Sequence, residues 1–328
     1  MKNNFYAVIM AGGSGKRLWP LSTEDFPKQF LTFGKKEPLI VQTIQRMLPL
    51  ISKKNIYVVS LKKQEKLLRR FVKIIPSSNF IFEPYQKNTA ACLALAAFTL
   101  YQKNPNAVML AAPSDNSLFP EKAFQKDLQK ALHLAHKNNV LITFGTQPSF
   151  AATGFGYIEK GEEISSNVFK VKKFTEKPKL QKAKKYIKSK NFYWNSGHFA
   201  WKASTFLEAL ERHLPKTYQK LKKCFESKKN SLEKAYKNLH NISVDYAIME
   251  KARNAVVFKA QFQFDDLGSL TKINPCYRKL YEINSHNNLI HADKVVATVG
   301  VQGLIIIEKD GKLLVASKKH VQKVKEIF

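Results

Sequence analysis

Ala7-Val-Ile-Met10 and the segment that follows it, Ala11-Gly-Gly-Ser-Gly-Lys-Arg17, predict a β-strand that ends in a glycine-rich turn. Glycine lets the backbone come close to a bound group, and successive N–H groups in such a turn can point at phosphate oxygens. Arg17 and the downstream Lys28 can add positive charge. These residues indicate a phosphate-binding loop, although a tight turn without a ligand explains the loop alone equally well.

Two familiar phosphate loops do not fit this segment. A Walker A loop requires Ser or Thr after its Gly-Lys pair, and here Arg17 follows Lys16. A dinucleotide-binding fingerprint requires a third glycine at the position that Leu18 occupies. The loop is therefore predicted to bind phosphate in another way.

Apolar runs bounded by turn residues alternate with helical patterns through the first half of the chain. Strands are predicted at 5–10, 56–61, 80–82, 107–111 and 141–146, and helices at 39–48, 64–74, 89–102 and 121–138. Strands and helices in alternation predict an α/β fold with a largely parallel sheet that is covered on both faces.

The second half of the chain is less regular. Paired strands are predicted at 154–159 and 168–176, as a β-rich insertion, and an exposed lysine-rich helix is predicted at 180–189. After about residue 275, short strands follow at close spacing, at 288–291, 295–299, 303–308 and 312–316. These strands predict a separate small β unit.

The net charge of +30, from 55 basic and 25 acidic residues, is the unusual feature of the composition. It would suit an anionic partner, but a lysine-rich solvated surface explains it better, because the basic runs are short and interrupted. Three scattered cysteines, at positions 92, 224 and 276, indicate neither a disulfide framework nor a zinc site. No apolar run approaches the ~20 residues that span a bilayer, so a cytoplasmic protein without a membrane partner is expected.

Leu18-Trp-Pro-Leu-Ser22 and Phe26-Pro-Lys-Gln-Phe30 complete the pattern GGxGxRLWPxS…FPKQF. This pattern closely resembles the signature of the mannose-1-phosphate guanylyltransferases, or GDP-mannose pyrophosphorylases, within the sugar nucleotidylyltransferases. Further matches follow in the family's order: Glu83-Pro…Lys87-Asn-Thr-Ala90, Ala112-Pro-Ser-Asp115, Thr153-Gly-Phe-Gly-Tyr-Ile158, Phe174-Thr-Glu-Lys-Pro178, Trp194-Asn-Ser-Gly197, Ser243-Val-Asp-Tyr-Ala247 and 262–269. The resemblance therefore extends over nearly the whole chain.

The resemblance implies a Rossmann-like nucleotidyltransferase three-layer sandwich, with a mixed, mainly parallel sheet, over residues 1–275. Over residues 276–328 it implies a small left-handed β-helical unit. Members of the family often use this unit in dimer contacts, so a homodimer is expected. The cupin-like isomerase domain of longer relatives is not expected, and a single activity is predicted.

The implied reaction transfers GMP from GTP to α-D-mannose 1-phosphate and releases pyrophosphate, by magnesium-assisted in-line attack on the α-phosphorus. Two anions are usually joined with the help of a divalent cation that one or two carboxylates hold. Asp115 and Asp266 are the carboxylates that fit this role, although as isolated residues they are typical of turns. The resemblance implies that both bind Mg²⁺, and that Arg17 and Lys28 join them as catalytic residues.

The remaining predicted site residues divide between the nucleotide and the sugar phosphate. The resemblance implies nucleotide contacts at Ala11, Gly12, Gly13, Gly15, Arg17, Lys28, Asn88 and Thr89, and sugar-phosphate contacts at Gly156, Glu176, Lys177 and Asn195. Asn88 and Thr89 also precede a predicted helix and would serve as N-cap residues. Pro178 favours an extended Lys177, which would place Glu176 and Lys177 on opposite faces; an exposed ion pair is the alternative.

Four positions depart from the family's pattern: Asn116 stands in place of histidine, Ala91 in place of proline, and Phe264 and Leu270 in place of tryptophans. They concern the shape of the sugar pocket and the selection of guanine. The nearest alternative function is another hexose-1-phosphate nucleotidylyltransferase, specific for thymidylyl or adenylyl transfer. A nucleic-acid-binding protein and an inactive regulatory homologue are further alternatives. The sequence shows no nucleic-acid recognition motif and retains every predicted charged catalytic residue, so no specific nucleic-acid partner is expected.

Overall fold

Strands and helices alternate along the structure from its first element onward. The computed structural model describes residues 4–13, 15–227 and 231–327. The strands are β1 Phe5–Ala11, β2 Ile56–Leu61, β3 Phe80–Glu83, β4 Val108–Pro113, β5 Ser117–Phe119, β6 Leu141–Thr146, β7 Tyr157–Ser165, β8 Val168–Thr175, β9 Phe192–Lys202, β10 Ala255–Lys259, β11 Gln263–Asp265, β12 Lys279–Ile283, β13 Leu289–His291, β14 Val295–Val299, β15 Leu304–Lys309 and β16 Lys312–Ser317. The α-helices are α1 Leu39–Met47, α2 Glu65–Phe71, α3 Asn88–Lys103, α4 Glu121–Lys137, α5 Leu180–Ser189, α6 Ala203–His213, α7 Pro215–Glu226 and α8 Leu232–Lys237. Within the described ranges, no helix has both the length and the apolar character needed to cross a membrane.

The strand β1 lies in the interior of a central sheet whose order is β3-β2-β1-β4-β9-β6-β10-β8-β7. It pairs in parallel with β2, where Ala7 is opposite Ile56, and with β4, where Ala7 is opposite Leu110. β3 is parallel to β2, and β10 is parallel to β6. β9 and β8 are antiparallel to the strands beside them. The sheet is therefore mixed and mainly parallel, as predicted.

The two faces of β1 belong to two different hydrophobic clusters. Tyr6 and Val8 pack into the cluster that contains the inner faces of α3 and α6. Phe5, Ala7 and Ile9 pack into the cluster that contains the inner faces of α1, α2 and α4. Successive residues of a strand point to opposite faces, so a continuous apolar run is what a strand covered on both sides requires. Helices on both faces confirm the predicted three-layer sandwich.

β7 and β8 form the antiparallel pair that the sequence predicts, and the pair is continuous with the central sheet. β8 pairs with β10, and β7 pairs with the first half of β9, where Tyr157 is opposite Trp194. The pairing of β7 with β9 closes β9, β6, β10, β8 and β7 into a ring. Tyr157 and Ile158 are fully buried, so the burial of apolar surface holds this pair within the sheet. The strand β9 itself was not predicted from the sequence.

The C-terminal strands form a β-helix-like unit. β12 pairs in parallel with β14, and β13 pairs in parallel with β15. Both pairings join residues sixteen positions apart, Lys279 with Val295 and Leu289 with Ile305, so each coil of the chain lies against the preceding one. Ile305 shares a buried cluster with Leu18, so the unit packs on the segment that follows the glycine-rich turn. The expected small C-terminal β-helical unit is confirmed.

Gly145 on β6 is enclosed by its neighbouring strands. A Cβ at this position would lie 2.6 Å from Tyr193 Cβ on β9 and 2.7 Å from Val257 Cγ2 on β10. Gly145→Ala is therefore expected to lower the free energy of unfolding by about 1–3 kcal/mol through overpacking. Gly154→Ala is the matched control, because a Cβ there would meet no atom within 4 Å. Urea unfolding of both variants measures the effect, and equal stability of the two would contradict the enclosed position of Gly145.

Candidate active site

A cavity of about 620 Å³ opens at the carboxyl ends of β1 and β4. Ligands of open α/β sheets bind at this edge, where the loops that leave neighbouring strands diverge. Several predicted site residues line it: Gly12, Gly13, Asn88, Thr89, Gly156, Glu176, Asn195 and Asp266. Others are not among its lining residues in the described part of the chain: Ala11, Gly15, Arg17, Lys28, Asp115 and Lys177.

The end of β1 is held by a buried hydrogen-bond network. Gln29 Nε2 and Ser60 Oγ lie 3.0 and 2.9 Å from the Ala11 carbonyl oxygen, which accepts from them. The same two atoms lie 3.0 and 2.7 Å from Gln64 Oε1, a second acceptor. Buried polar groups that satisfy one another in this way make a rigid support. Ala11 therefore supports the glycine-rich turn from beneath and does not form the cavity wall.

Gly12 and Gly13 line the cavity, while Ser14 of the same loop lies outside the described residues. Gly15 lies behind the loop with a φ of 66°, in the left-handed region that favours glycine. A Cβ at Gly15 would also lie 2.7 Å from Lys28 Cβ. Glycine is therefore needed at this position so that Lys28 can approach the loop.

Lys28 brings the two predicted metal-binding aspartates together. Its side chain is buried, its Nζ lies 2.9 Å from Asp115 Oδ2, and it also donates to the backbone carbonyl of Asp266. The antiparallel ribbon of β5 and β11 places Asp265 opposite Ser117, and this register brings the neighbouring aspartates into the same region. Three of the four predicted catalytic residues therefore meet beside the cavity.

Arg17 is the predicted catalytic residue that stands apart from this group. It lies in the short 3-10 turn Lys16–Leu18 and is exposed. The turn is connected to the loop because the Leu18 N–H donates to the Gly15 carbonyl at 3.0 Å. The structure therefore places Arg17 beside the glycine-rich loop, outside the cavity wall.

Asp115 and Asp266 are the residues that could hold a divalent cation. In the part of the chain that the structure describes, no three His, Cys, Asp or Glu side chains cluster as a metal site. Mg²⁺ commonly uses one or two carboxylates and takes its other ligands from substrate phosphates and water. Asp266 Oδ1 accepts the Gly268 N–H at 3.0 Å, which orients that carboxylate. The pair of aspartates thus fits a cation that arrives with a phosphorylated substrate.

Another part of the cavity wall gathers Gly156, Glu176 and Asn195. The Asn195 N–H donates to the Gly156 carbonyl at 2.9 Å, and a Cβ at Gly156 would collide with Glu176 Oε2. The Asn195 amide is held at both ends, by Thr143 Oγ1 at 2.8 Å and by Asp245 Oδ1 at 2.9 Å. A carboxylate and an amide therefore face a space that glycine keeps open, which suits the hydroxyl groups of a sugar.

The expected extended conformation of Lys177 is wrong. Lys177 has a φ of 45°, in the left-handed region, and its Nζ lies 2.7 Å from Glu176 Oε1. The two side chains meet as an ion pair, which is the alternative that the sequence left open. The Glu176 N–H donates to Glu250 at 2.9 Å, and Tyr246 Oη donates to the Glu176 carbonyl at 3.4 Å. These contacts and the ion pair outweigh the preference that Pro178 imposes.

Asn88 and Thr89 line the cavity, but neither acts as the expected N-cap. Helix α3 begins at Asn88, and Lys87 occupies the N-cap position without a side-chain hydrogen bond. Asn88 has a φ of 66°, and its Oδ1 accepts the Thr89 N–H at 2.9 Å. Thr89 Oγ1 accepts the Val244 N–H at 2.9 Å. The hydroxyl therefore joins α3 to a segment distant in sequence, which local capping rules do not predict.

Glu83 and Asp245 line the cavity, and the sequence assigned neither a role. Glu83, at the end of β3, is buried, and Tyr236 Oη donates to its Oε1 at 3.3 Å. Burial raises the pKa of the Glu83 carboxyl to about 7, against the smaller opposing effect of hydrogen bonds from Tyr236 and Cys92. Both acidic residues belong to segments that follow the family's order, and this is the signal that could have identified them.

Comparison with known proteins identifies the family. The nucleotidyl transferase family model matches residues 6–274, and the MannoseP isomerase/GMP-like beta-helix domain matches residues 280–328. A mannose-1-phosphate guanylyltransferase from Salmonella muenchen is 35% identical over 342 residues, covering 98% of this chain and 72% of that protein. The chain belongs to the mannose-1-phosphate guanylyltransferase family of nucleotidyl transferases. It is therefore a member of an enzyme family that generally uses a divalent metal.

Two further comparisons cover nearly the whole of this guanylyltransferase family member. Xanthan biosynthesis protein XanB from Xanthomonas campestris pv. campestris is 31% identical, covering 98% of this chain and 72% of that protein. A crystal structure named mannose-1-phosphate geranyltransferase, from Thermus thermophilus, superposes with a TM-score of 0.89 at 30% identity. That match covers 99% of this chain and 98% of the other, so the fold is shared over both the sheet and the β-helical unit.

The four departures from the guanylyltransferase pattern have different surroundings. Asn116 and Phe264 line the cavity. Ala91 is buried inside α3, and its carbonyl oxygen lies 3.1 Å from Tyr236 Oη. Leu270 is buried in the cluster beneath the C-terminal unit. Asn116 and Phe264 therefore form part of the cavity wall, whereas Ala91 and Leu270 do not line it.

The raised pKa of Glu83 predicts a pH-dependent contribution to stability. The pKa rises from an ordinary 4.5 to about 7, so the folded protein binds this proton more tightly than the unfolded chain does. The stabilisation is complete below pH 4.5 and is lost as the pH rises through about 7. Glu83→Gln removes this dependence, so its unfolding free energy relative to the wild type should increase between about pH 5 and pH 8. Urea unfolding of the wild type and Glu83→Gln at both pH values measures this change. The same difference in unfolding free energy at the two pH values would contradict the burial of the Glu83 carboxyl.

Proposed function

We propose that this protein transfers GMP from GTP to α-D-mannose 1-phosphate, forming GDP-mannose and pyrophosphate. The observation that carries the proposal is a single cavity lined by a glycine-rich loop, Asp266 and the Glu176–Asn195 group, with Lys28 and Asp115 joined to Asp266 beside it. Groups that bind phosphate, a cation and hydroxyls are what the reaction needs within reach of one another. The name of the Salmonella muenchen relative supports the choice of mannose 1-phosphate and a guanylyl donor.

The nucleotide phosphates are assigned to the loop of Gly12 and Gly13, whose N–H groups can donate to phosphate oxygens. Lys28 supplies positive charge from behind the loop. Arg17, on the exposed turn beside it, is assigned to the phosphates on the open side of the cavity. Asp115 and Asp266 would hold Mg²⁺, which, when bound, neutralises phosphate oxygens and the charge that develops on the leaving pyrophosphate.

The sugar phosphate is assigned to Gly156, Glu176, Lys177 and Asn195. Glu176 and Asn195 offer acceptor and donor atoms to sugar hydroxyls, and Gly156 leaves room for the ring. Lys177 is about half exposed while it pairs with the nearly buried Glu176 carboxylate, so its ammonium remains accessible from solvent. The Lys177 ammonium can therefore leave Glu176 and pair with the incoming phosphate.

The reaction itself requires little proton transfer from the protein. A phosphate oxygen of the sugar 1-phosphate is already an anion, and it attacks the α-phosphorus of GTP. The bond between that phosphorus and the bridging oxygen of pyrophosphate breaks in line with the attack. The chain contributes by holding two anions in this geometry and by offsetting their repulsion.

Glu83 supports guanine as the base. Its carboxyl lines the cavity beside the loop, where a Cβ at Gly12 would lie 3.7 Å from Glu83 Oε2. Guanine presents two adjacent donors, N1–H and the 2-amino group, to which a carboxylate is complementary. Adenine presents an acceptor at N1 instead. In its ionised form, Glu83 at this place in the wall therefore favours GTP over ATP.

We also propose that two copies of the chain associate through the β-helical unit. Tyr281 and Ile283 on β12, with Val295 and Val299 on β14, are 48, 60, 59 and 63% exposed. β12 and β14 are adjacent parallel strands, so these side chains form one apolar patch. Contiguous exposed apolar side chains are typical of an interaction surface.

A cytoplasmic location and the absence of a specific nucleic-acid partner stay predictions.

The substrate assignment is tested by following pyrophosphate release with ATP, GTP, CTP, UTP or dTTP and several hexose 1-phosphates, with and without Mg²⁺. GTP with mannose 1-phosphate is expected to be the best pair, and removal of the metal should abolish turnover. A preference for dTTP or ATP with glucose 1-phosphate would identify the alternative nucleotidylyltransferase instead.

Asp266→Asn should lower kcat by about 10²-fold or more, because it removes a charge that holds the cation beside the reacting phosphates. Asp265→Asn is the matched control. Asp265 is the adjacent residue, but its carboxylate pairs with Lys272 and it does not line the cavity. Steady-state kinetics should show the control within about twofold of the wild type. Equal loss of activity in both variants would contradict the metal assignment.

Ile283→Lys should convert a dimer into a monomer, because it places a charge in an apolar contact. Leu313→Lys is the control: Leu313 is 60% exposed on β16, in the other sheet of the β-helical unit. Light scattering coupled to size-exclusion chromatography measures the mass of each variant. A monomeric wild type would end the dimer proposal.

A further inference from the structure

A single turn of π-helix, Asp245–Met249, borders the cavity through Asp245. The Glu250 N–H donates to the Asp245 carbonyl at 2.9 Å, five residues back, which is the bond that defines the turn. π-helical turns are rare and occur frequently at functional sites. The side chain of Asp245 is thereby placed at the wall formed by Gly156, Glu176 and Asn195.

Asp245 completes a set of hydrogen bonds around the Asn195 amide. Thr143 Oγ1 and the Gly197 N–H donate to Asn195 Oδ1 at 2.8 and 3.2 Å. Asn195 Nδ2 donates one hydrogen to Asp245 Oδ1 at 2.9 Å. Because a carboxylate only accepts and the Gly197 N–H only donates, this set fixes which end of the amide is oxygen. Because both acceptor sites of Asn195 Oδ1 are used and one Nδ2 hydrogen is bound to Asp245, the amide retains one Nδ2–H for a ligand.

The π-helical turn is itself firmly anchored. The Val244 N–H, just before the turn, donates to Thr89 Oγ1 at 2.9 Å, and the Ala90 N–H donates to the Ile242 carbonyl at 3.3 Å. Ala247, Ile248 and Met249 are buried in the cluster that α3 shares with β1. Asp245 is therefore presented from a rigid base, as a residue that orients another side chain must be.

The surroundings of Asp245 disfavour the ionised form of its carboxyl. Burial first, and then the negative charge of Glu176, raise the pKa of the Asp245 carboxyl. An asparagine would still accept the hydrogen bond from Asn195 without the repulsion from Glu176. A charge placed where stability does not favour it is characteristic of a functional residue.

We propose that Asp245 is a positioning residue for the sugar phosphate: it holds the Asn195 amide so that the remaining Nδ2–H donates to a sugar hydroxyl. The proposal rests on the proposed function, in which Asn195 contacts the sugar. Asp245 acts on the substrate through Asn195, and the nucleotide half of the cavity does not depend on it.

Asp245→Ala frees the amide to rotate, so the KM for mannose 1-phosphate should rise about tenfold, which corresponds to the loss of one hydrogen bond. The KM for GTP should change by less than about twofold. Asp245→Asn retains an acceptor for Asn195 and should recover most of the affinity, with a melting temperature at or above that of the wild type. A general loss of structure would move both KM values and would not be rescued in this way.

A double-mutant cycle tests whether Asp245 acts through Asn195. In an Asn195→Ala background, Asp245→Ala should raise the KM for the sugar phosphate by less than about twofold further. Thr143→Val removes the donor on the other side of the same amide and should also raise this KM selectively. This variant keeps the proposal testable if Asp245→Ala does not fold.

Asp127→Ala is the matched control. Asp127 is a second buried aspartate and lies on α4, away from the cavity. It accepts the Gln261 N–H at a distance of 2.6 Å. Its loss should lower the melting temperature and leave the ratio of the two KM values unchanged. Equal rises in both KM values for Asp245→Ala, or full additivity with Asn195→Ala, would overturn the proposal. If the wild type prefers another hexose 1-phosphate, the proposed function fails, and the same cycle with that substrate still tests Asp245 independently.

Discussion

The site depends on the buried ammonium group of Lys28, which contacts acceptor groups from two distant parts of the chain. Lys28 lies against the Asp115 carboxylate and donates to the carbonyl of Asp266, and it is almost fully withdrawn from water. A buried charge is tolerated only where such partners surround it, so Lys28 links the segment that follows the carboxyl end of β4 to the segment after β11. Gly15 allows this contact, because any side chain there would collide with Lys28.

The part of the cavity wall that contains Gly156, Glu176 and Asn195 follows from the closure of the sheet. β9 lies between β6 and β7 along its first half, and Asn195 in this half faces the cavity. Glycine at positions 145 and 156 lets strands and side chains approach where a Cβ would collide. The segment 242–250 then contacts α3 on one side and Glu176 on the other. The parts of the wall beside Thr89 and beside Glu176 are therefore built on one shared, well-packed support.

Much of the fold could be predicted from local patterns. The strands β2 and β6 and the helix α5 have the predicted bounds, because their apolar periodicity and flanking residues are local properties of the chain. The meeting of Lys28, Asp115 and Asp266 also agrees with a site that the sequence motifs anticipate. The path of β9 was not predictable, since its pairing with β4, β6 and β7 depends on contacts between residues far apart in sequence.

The amino-acid sequence alone determined the α/β architecture, the glycine-rich loop and the family, because strand alternation, glycine spacing and charged motifs are written along the chain. Only the tertiary structure decided the conformation of Lys177, the partner of the Thr89 hydroxyl and the placement of Glu83 and Asp245. The contacts of Thr89, Glu83 and Asp245 are hydrogen bonds to residues from other elements, formed where these groups are wholly or partly withdrawn from water. Lys177 instead pairs with its neighbour Glu176, whose backbone is held by Glu250 and Tyr246. Local preferences of about 1 kcal/mol are outweighed by such contacts once water is excluded.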